Sequence, residues 1–379
     1  MEKSTSRATG DIAERELEAW LVLSRMPGLG DLRIATLVQR LGGPEEVLNA
    51  SPATLAAIIR QDEQRLVRAK ANAYSPSIKK QVAALRNGPY RLYTIWNTDY
   101  PVSLKTLSTP PVFLFARGQL NPDDQNGVAV VGSRSATEYG KTVAYELAQS
   151  LAWAGLCVIS GMARGIDSFA HKGALDGGGR TVAVLGNGPD VAYPPENRKL
   201  MGEIERHGAV ISEFPPGTAP NPKHFPRRNR IIAGLSRGVI VVQARERSGA
   251  LITVKHALEQ GKEVMAVPGH INARTSKGPN ALIKQGAALV EDIDDVLAAL
   301  GEPLLSRDDK PKPPPCPPLE PDERGLLEKL GSNPVHIDTL CSLTGEPPGP
   351  LLAKLLHLEL KGVVKQLAGK HFLALVDVS

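Results

Sequence analysis

From Val128 onward one unit recurs: a short apolar run, a turn rich in Gly or Ser, then a stretch with helical spacing of apolar residues. Val128–Val131 runs into Gly132-Ser133-Arg134, Cys157–Ile159 into Ser160-Gly161-Met162-Ala163-Arg164-Gly165, and Val182–Leu185 into Gly186-Asn187-Gly188. Val210–Ile211 runs into Ser212-Glu213, Val239–Val242 into Gln243-Ala244-Arg245, and Val264–Val267 into Pro268-Gly269. Short strands that are apolar at every position are buried on both faces, and strands alternating with helices pair in parallel. The pattern therefore predicts an α/β fold with a mostly parallel sheet between two helical layers. Ligands of such sheets sit beyond the strand C-termini, which is where these Gly and Arg residues fall.

The flanks read differently. Residues 12–70 carry apolar residues at helical spacing (Leu17, Trp20, Leu21 and Leu23, then Ile34, Leu37, Val38 and Leu41) and predict a helical N-terminal domain over 1–90. Its Met26-Pro27-Gly28-Leu29-Gly30 turn is similar to a helix-hairpin-helix element, whose free N–H groups can hold a DNA phosphate. A tight turn between packed helices is the favoured reading of so short a motif. The sheet domain is expected over 91–300. Residues 301–320, with Pro311, Pro313 to Pro315, Pro317 and Pro318, read as a semi-extended linker. Over 321–379 a three-helix pattern followed by an apolar hairpin around Gly369-Lys370 predicts a winged helix.

Charge singles out the middle of the chain. Of the formal +5, residues 128–290 contribute a surplus of eight, with 20 Lys and Arg against 12 Asp and Glu. The winged-helix segment is slightly acidic, so it is expected to contact protein and not duplex DNA. Within the middle, Lys223, Phe225, Arg227, Arg228, Asn229 and Arg230 lie together with no acid among them. Clustered cations with an aromatic supply phosphate neutralisation and a face for base stacking. The turn at Gly132, Ser133 and Arg134, the Gly161 to Arg164 turn, and Ser248, Gly249 and Thr253 at another helix start were expected to complete a phosphate-backbone groove.

Other chemistries lack their signatures. The chain has no G-x-x-x-x-G-K-[ST] and no G-x-G-x-x-G after a strand, so no nucleotide cofactor is expected. Ser160, Asp167 and His171 could suggest a hydrolase, but no G-x-S-x-G elbow holds the Ser. Asp167 and His171, four residues apart, are expected to fasten a helix to a neighbouring loop. Cys157, Cys316 and Cys341 are too few and too scattered for a disulfide framework or a metal cage. The acidic N-terminus is unlike a signal peptide, and no apolar run is long enough to span a membrane, so a cytoplasmic protein is expected.

Taken in order, these motifs resemble the DprA/Smf family of bacterial DNA-processing proteins. The resemblance rests on Val130 to Arg134, Ser160 to Asp167 with Ala170-His171, Tyr193-Pro194 with Glu196-Asn197, and Ser212-Glu213. It continues through Phe225 to Ser236, Ser248 to Thr253, Pro268-Gly269, and Gly278 with Asn280. It implies an extended Rossmann-like domain, a helical N-terminal domain similar to the sterile-alpha-motif fold, and a C-terminal winged helix. It also implies a non-enzymatic protein that binds single-stranded DNA in natural transformation, shields it, helps load the RecA recombinase, and forms a homodimer through the Rossmann-like domain. Two positions depart from the family pattern: Gln243 stands where Glu is usual, and Pro195 where Lys is frequent. Two alternatives stay open, a nucleoside-monophosphate phosphoribohydrolase and a nucleotide-sensing winged-helix regulator. The former uses P-G-G-x-G-T-x-x-E, whereas here Pro268-Gly269 is followed by His270-Ile271-Asn272-Ala273.

Overall fold

The computed structural model describes residues 12–73, 77–303, 319–330, 334–367 and 369–374. Most of the Pro-rich stretch, with Cys316, and the first eleven residues lie outside the described residues. The chain forms two compact units, Met1–Ser306 and Arg307–Ser379.

The first unit is built on nine strands: β1 (Tyr90–Thr94), β2 (Phe113–Gly118), β3 (Gly127–Val131), β4 (Val158–Ser160), β5 (Thr181–Leu185), β6 (Ala209–Ser212), β7 (Ser236–Val241), β8 (Glu263–Ala266) and β9 (Ala288–Leu289). Their order is β1-β2-β6-β5-β4-β3-β7-β8-β9. From β6 to β9 every pairing is parallel, with Ala129 opposite Ile159 and Val131 opposite Val241. β1 and β2 extend the sheet antiparallel beyond β6. The six strands expected from sequence are present, most with their ends displaced by a residue or two, because ladder hydrogen bonds and not apolarity set the ends. β1, β2 and β9 were not expected.

Alternate residues of β3 face opposite helical layers, as the two-residue period of a strand requires. Val128 and Val130 pack with Leu147 and Leu151 of the helix Glu138–Trp153, while Ala129 and Val131 pack with Ile231 and Leu235 of the helix His224–Leu235. Successive strands from β3 to β6 run to one side of β3, and β7 starts on the other. The crevice between β3 and β7 is thus the topological switch point.

Ahead of the sheet come helices Glu14–Arg25, Asp31–Leu41, Pro44–Asn49, Pro52–Ile59, Glu63–Ala73 and Ser77–Asn87. Their apolar faces enclose Trp20, which stacks on Trp96 and meets the edge of Phe113 in β2. The Pro27-Gly28 turn works as a tight connection: Gly28 adopts a φ of 79°, and its carbonyl accepts from Arg33 at 2.8 Å.

The second unit has helices Pro321–Leu330, Ile337–Thr344 and Pro348–Leu360 and a small sheet of β10 (Val335–His336), β11 (Val364–Leu367) and β12 (His371–Ala374) in the order β10-β12-β11. Leu326, Leu340, Leu355 and Phe372 close its core. Among the described residues no helix is long and apolar enough to cross a membrane.

Candidate nucleic-acid interface

At the β3–β7 switch point the turns after both strands border an open cavity of about 500 Å³. Gly132, Ser133 and Arg134 form one wall, the segment Arg245–Gly249 another, and Phe225, Arg228 and Asn229 the floor, with Tyr193 at the rim. Gly132 is required by packing: a Cβ there would lie 2.6 Å from Ile166 Cγ1 and 2.8 Å from the Gln243 carbonyl oxygen.

The backbone of this wall differs from expectation. The following helix begins only at Glu138, capped by Thr137, so Gly132 and Ser133 stand ahead of its N-terminus. The Ser133 N–H is already spent on the Gln243 carbonyl at 2.7 Å. Gln243 itself is buried and clamps Thr137 twice: its Oε1 accepts from the Thr137 N–H at 3.0 Å and its Nε2 donates to the hydroxyl at 2.8 Å. A neutral amide, able to donate and accept at once, suits that position. The helix Ala250–Glu259 starts without a side-chain cap at Gly249; Ser248 reaches back to the Ala250 N–H at 3.3 Å.

The basic run falls on the helix His224–Leu235, and most of its charge is inward. Arg228 is 4% exposed, and its Nη1 donates to the carbonyls of Gly161 (2.9 Å) and Val184. A Cβ on Gly161 would sit 2.6 Å from the Arg228 guanidinium and 2.7 Å from the Asp167 carboxylate, so this glycine makes room for both. Burial pulls Arg228 down to about 10, with Asp167 opposing, so it stays charged at neutral pH. Burial pushes Asp167 up, with Arg228 and the N–H groups of Ala163 and Gly161 pulling it back. Arg230, also buried, pairs with Glu213 and Asp31, and Arg227 with the same two acids. Neither borders the cavity. Lys223, exposed beside the helix start, and Arg164, paired with Glu196, also lie off it. Asn229 ties the helix to the opposite wall by donating to the Gly249 carbonyl at 3.2 Å, and Thr253 is buried beneath that wall.

Three groups carry exposed, usable chemistry. Arg134, Arg245 and Arg247 are exposed around the cavity. The Phe225 ring is already covered: Tyr193 stacks on it with centroids 5.5 Å apart, and the Arg134 and Arg228 guanidiniums lie over it at 5.3 and 5.9 Å. Tyr193, 40% exposed, is the free aromatic. Tyr193, Arg245 and Arg247 are not among the site residues expected from sequence. The signal for Arg247 was available in the Arg245-x-Arg247 spacing straight after an apolar strand; Tyr193 is brought here only by tertiary folding.

Asp167 and His171 do not pair. Asp167 accepts from Ala163 N–H at 3.3 Å, while His171 Nδ1 contacts Thr181 Oγ1 at 2.7 Å. That hydroxyl gives its proton to the Val158 carbonyl, so His171 must donate from Nδ1 and carry a bare Nε2. Ser160 is wholly buried and donates to the Val130 carbonyl at 2.6 Å, out of reach as a nucleophile.

A parallel sheet with an arginine-rimmed cavity at its switch point defines a Rossmann-like protein. Residues 91–301 match the family model of DNA recombination-mediator protein A, and residues 310–370 match the DprA winged helix domain. The chain is 39% identical to Escherichia coli protein Smf over 298 residues, 77% of this chain and 80% of that one. Among solved structures it is similar to Streptococcus pneumoniae DprA, with a TM-score of 0.65 and 35% identity, over 76% of this chain and 98% of that one. A Helicobacter pylori DNA processing protein A, solved for its single-stranded DNA binding mode, gives a TM-score of 0.50 at 29% identity over 56% and 95% of the two chains. The chain belongs to the DprA/Smf family of DNA recombination-mediator proteins, and its second unit is that family's winged helix.

Proposed function

We propose that the chain binds single-stranded DNA across the β3–β7 crevice during natural transformation. The observation that carries this is the convergence of exposed Arg134, Arg245 and Arg247 with exposed Tyr193 around one open cavity. The arginines neutralise successive phosphates, and Tyr193 offers a ring on which a base stacks without regard to sequence. The remaining residues named from sequence act behind them: Arg228 and Asn229 set the floor, and Arg227 and Arg230 hold the basic helix to its neighbours. That the H. pylori relative is described as binding single-stranded DNA supports the choice of ligand. No bond-breaking step is assigned, since no nucleophile with its base borders the cavity among the described residues.

Within the same reading, the protein shields DNA and passes it to RecA, acts as a homodimer through the sheet unit, and works in the cytoplasm. The winged helix serves as a protein-contact module on its Pro-rich tether, following the division into 1–90, 91–300, 301–320 and 321–379. Titrating fluorescent oligonucleotide against the full chain at several salt concentrations tests the core claim. Tight, salt-sensitive, sequence-independent binding of single strands is expected, and equal affinity for a mononucleotide would overturn it.

A further inference from the structure

A second pocket, of about 180 Å³, meets the basic helix at Arg230, which does not border the first cavity. It is bordered by Ser103 and Thr106 to Thr109, by Arg230, and by His256, Glu259, Gln260 and Lys262 at and just beyond the end of the helix Ala250–Glu259.

 

Three of the residues that border it each hold one buried polar atom without a partner among the described residues: Arg230 Nη1, Gln260 Oε1 and Ser103 Oγ. Arg230 is 7% exposed and spends its other terminal nitrogen on Glu213 and Asp31. Lys262 adds a second cation with no acidic partner among the described residues, and burial followed by the nearby Arg237 lowers its affinity for a proton. The one carboxylate at the rim, Glu259, is engaged by His256 at 3.2 Å and Lys255 at 3.8 Å. Unpaired buried groups of this kind cost free energy unless something meets them.

The orientation of Gln260 restricts what that can be. Its Nε2 donates to the Arg230 carbonyl at 3.3 Å, which fixes the amide and leaves Oε1 as an acceptor. A ligand that satisfies the site must offer negative oxygens to Arg230, Lys262 and the Ser103 hydroxyl, and one O–H to Gln260. Hydrogenphosphate and phosphomonoesters that retain a proton fit this description, and sulfate, fully deprotonated near neutral pH, does not. From this geometry we infer that the pocket at Arg230, Gln260, Ser103 and Lys262 is a binding site for a protonated phosphate group, separate from the DNA cavity.

The test is calorimetric titration of the full chain with inorganic phosphate, sulfate and deoxyadenosine monophosphate at matched ionic strength. Saturable phosphate binding that exceeds sulfate binding is expected. Lys262→Met and Ser103→Ala should each weaken it about tenfold, the usual scale for a hydrogen bond to a charged group. Gln260→Met should remove the preference over sulfate, and Arg134→Ala, in the other cavity, should leave phosphate binding intact. Unfolding curves without ligand check that each variant is folded. If the mononucleotide binds with the same dependence on Lys262 and Ser103, a nucleotide is the source of the phosphate; if only the inorganic ion does, the free ion is. Equal binding of sulfate and phosphate by the wild type, unchanged affinity in both Lys262→Met and Ser103→Ala, or loss of phosphate binding in Arg134→Ala would overturn the assignment.

Discussion

The helix His224–Leu235 and the turns that face it across the cavity carry the same residue type to opposite ends. On the helix, Arg228 and Arg230 are buried, one on backbone carbonyls beside Asp167 and the other on Glu213 and Asp31. On the turns, Arg134, Arg245 and Arg247 are exposed. The first group holds the scaffold and the second meets solvent. A count of positive charges along the chain does not separate them, because availability depends on whether folding brings up an acid or a carbonyl.

The largest test of that division is Arg228→Ala. Removing Arg228 leaves the buried carbonyls of Gly161 and Val184 unmet and takes a neighbouring positive charge from Asp167, and a loss of about 3 kcal/mol in urea unfolding is expected. A variant that stays as stable as wild type but loses DNA binding would move Arg228 into the exposed group. Next, Tyr193→Leu should weaken single-strand binding by about 1–3 kcal/mol, the worth of one stacked base. Phe225→Leu, by contrast, should act mainly on stability, because its ring is already covered; the reverse ranking in a binding titration would restore Phe225 as the platform.

Smaller effects sharpen the comparison. Arg134→Ala, Arg245→Ala and Arg247→Ala should each leave the melting curve unchanged and flatten the slope of log affinity against log salt by about 0.7, the value per phosphate for single strands. A wild-type slope in all three would empty the cavity of its role. His171 gives a pH signature of the scaffold side. Burial, with Arg228 adding to it, lowers its pKa from 6.5 to about 3. The unfolded chain therefore takes up a proton that the folded one refuses. Stability from this group is complete above pH 6.5 and is lost as pH falls from 6.5 toward 3. The raised carboxyl of Asp167 works in the opposite sense, so the informative quantity is the difference between wild type and His171→Gln, measured by denaturant unfolding at several pH values. That difference should shift against the wild type as pH falls through 6.5, and a constant difference would mean the imidazole is not held neutral. The smallest expected change is in a chain ending at Pro303, which should keep most of its single-strand affinity; loss of most of it would give the winged helix a DNA-reading role.

The sheet was legible because its inner strands announce themselves. Val182 to Leu185 is buried at every position, and a Gly turn follows at once. β1 was not, since Arg91 breaks its apolar run; β2 carries an unbroken run, Phe113 to Ala116, closed by Gly118, but lacks the α-helix that follows the inner strands. The place of the cavity was legible for the same topological reason that makes strand ends meet at a switch point. What was not legible is the fate of individual cations. Asp31, which takes Arg227 and Arg230, lies nearly two hundred residues upstream of them, and Asp167 reaches Arg228 from the first turn of the helix Ile166–Asp176. Local sequence around Arg227 to Arg230 shows no acid, so it reads as free charge. Phe225 was misjudged similarly, because Tyr193 arrives from a different loop.

The Asp31 link has a consequence for how the molecule can be divided. Asp31 opens a helix of the N-terminal region, and Gln81, from the same region, donates to the Pro216 carbonyl in the loop that follows Glu213. The N-terminal helices are therefore counterions and struts for the sheet unit and not a detachable appendage. A fragment beginning at β1 would keep every residue of the β3–β7 cavity, yet Glu213 alone would have to balance Arg227 and Arg230. Such a fragment would carry one more uncompensated positive charge than the intact protein at that point, and its attraction for any polyanion would be stronger and less selective than that of the whole chain.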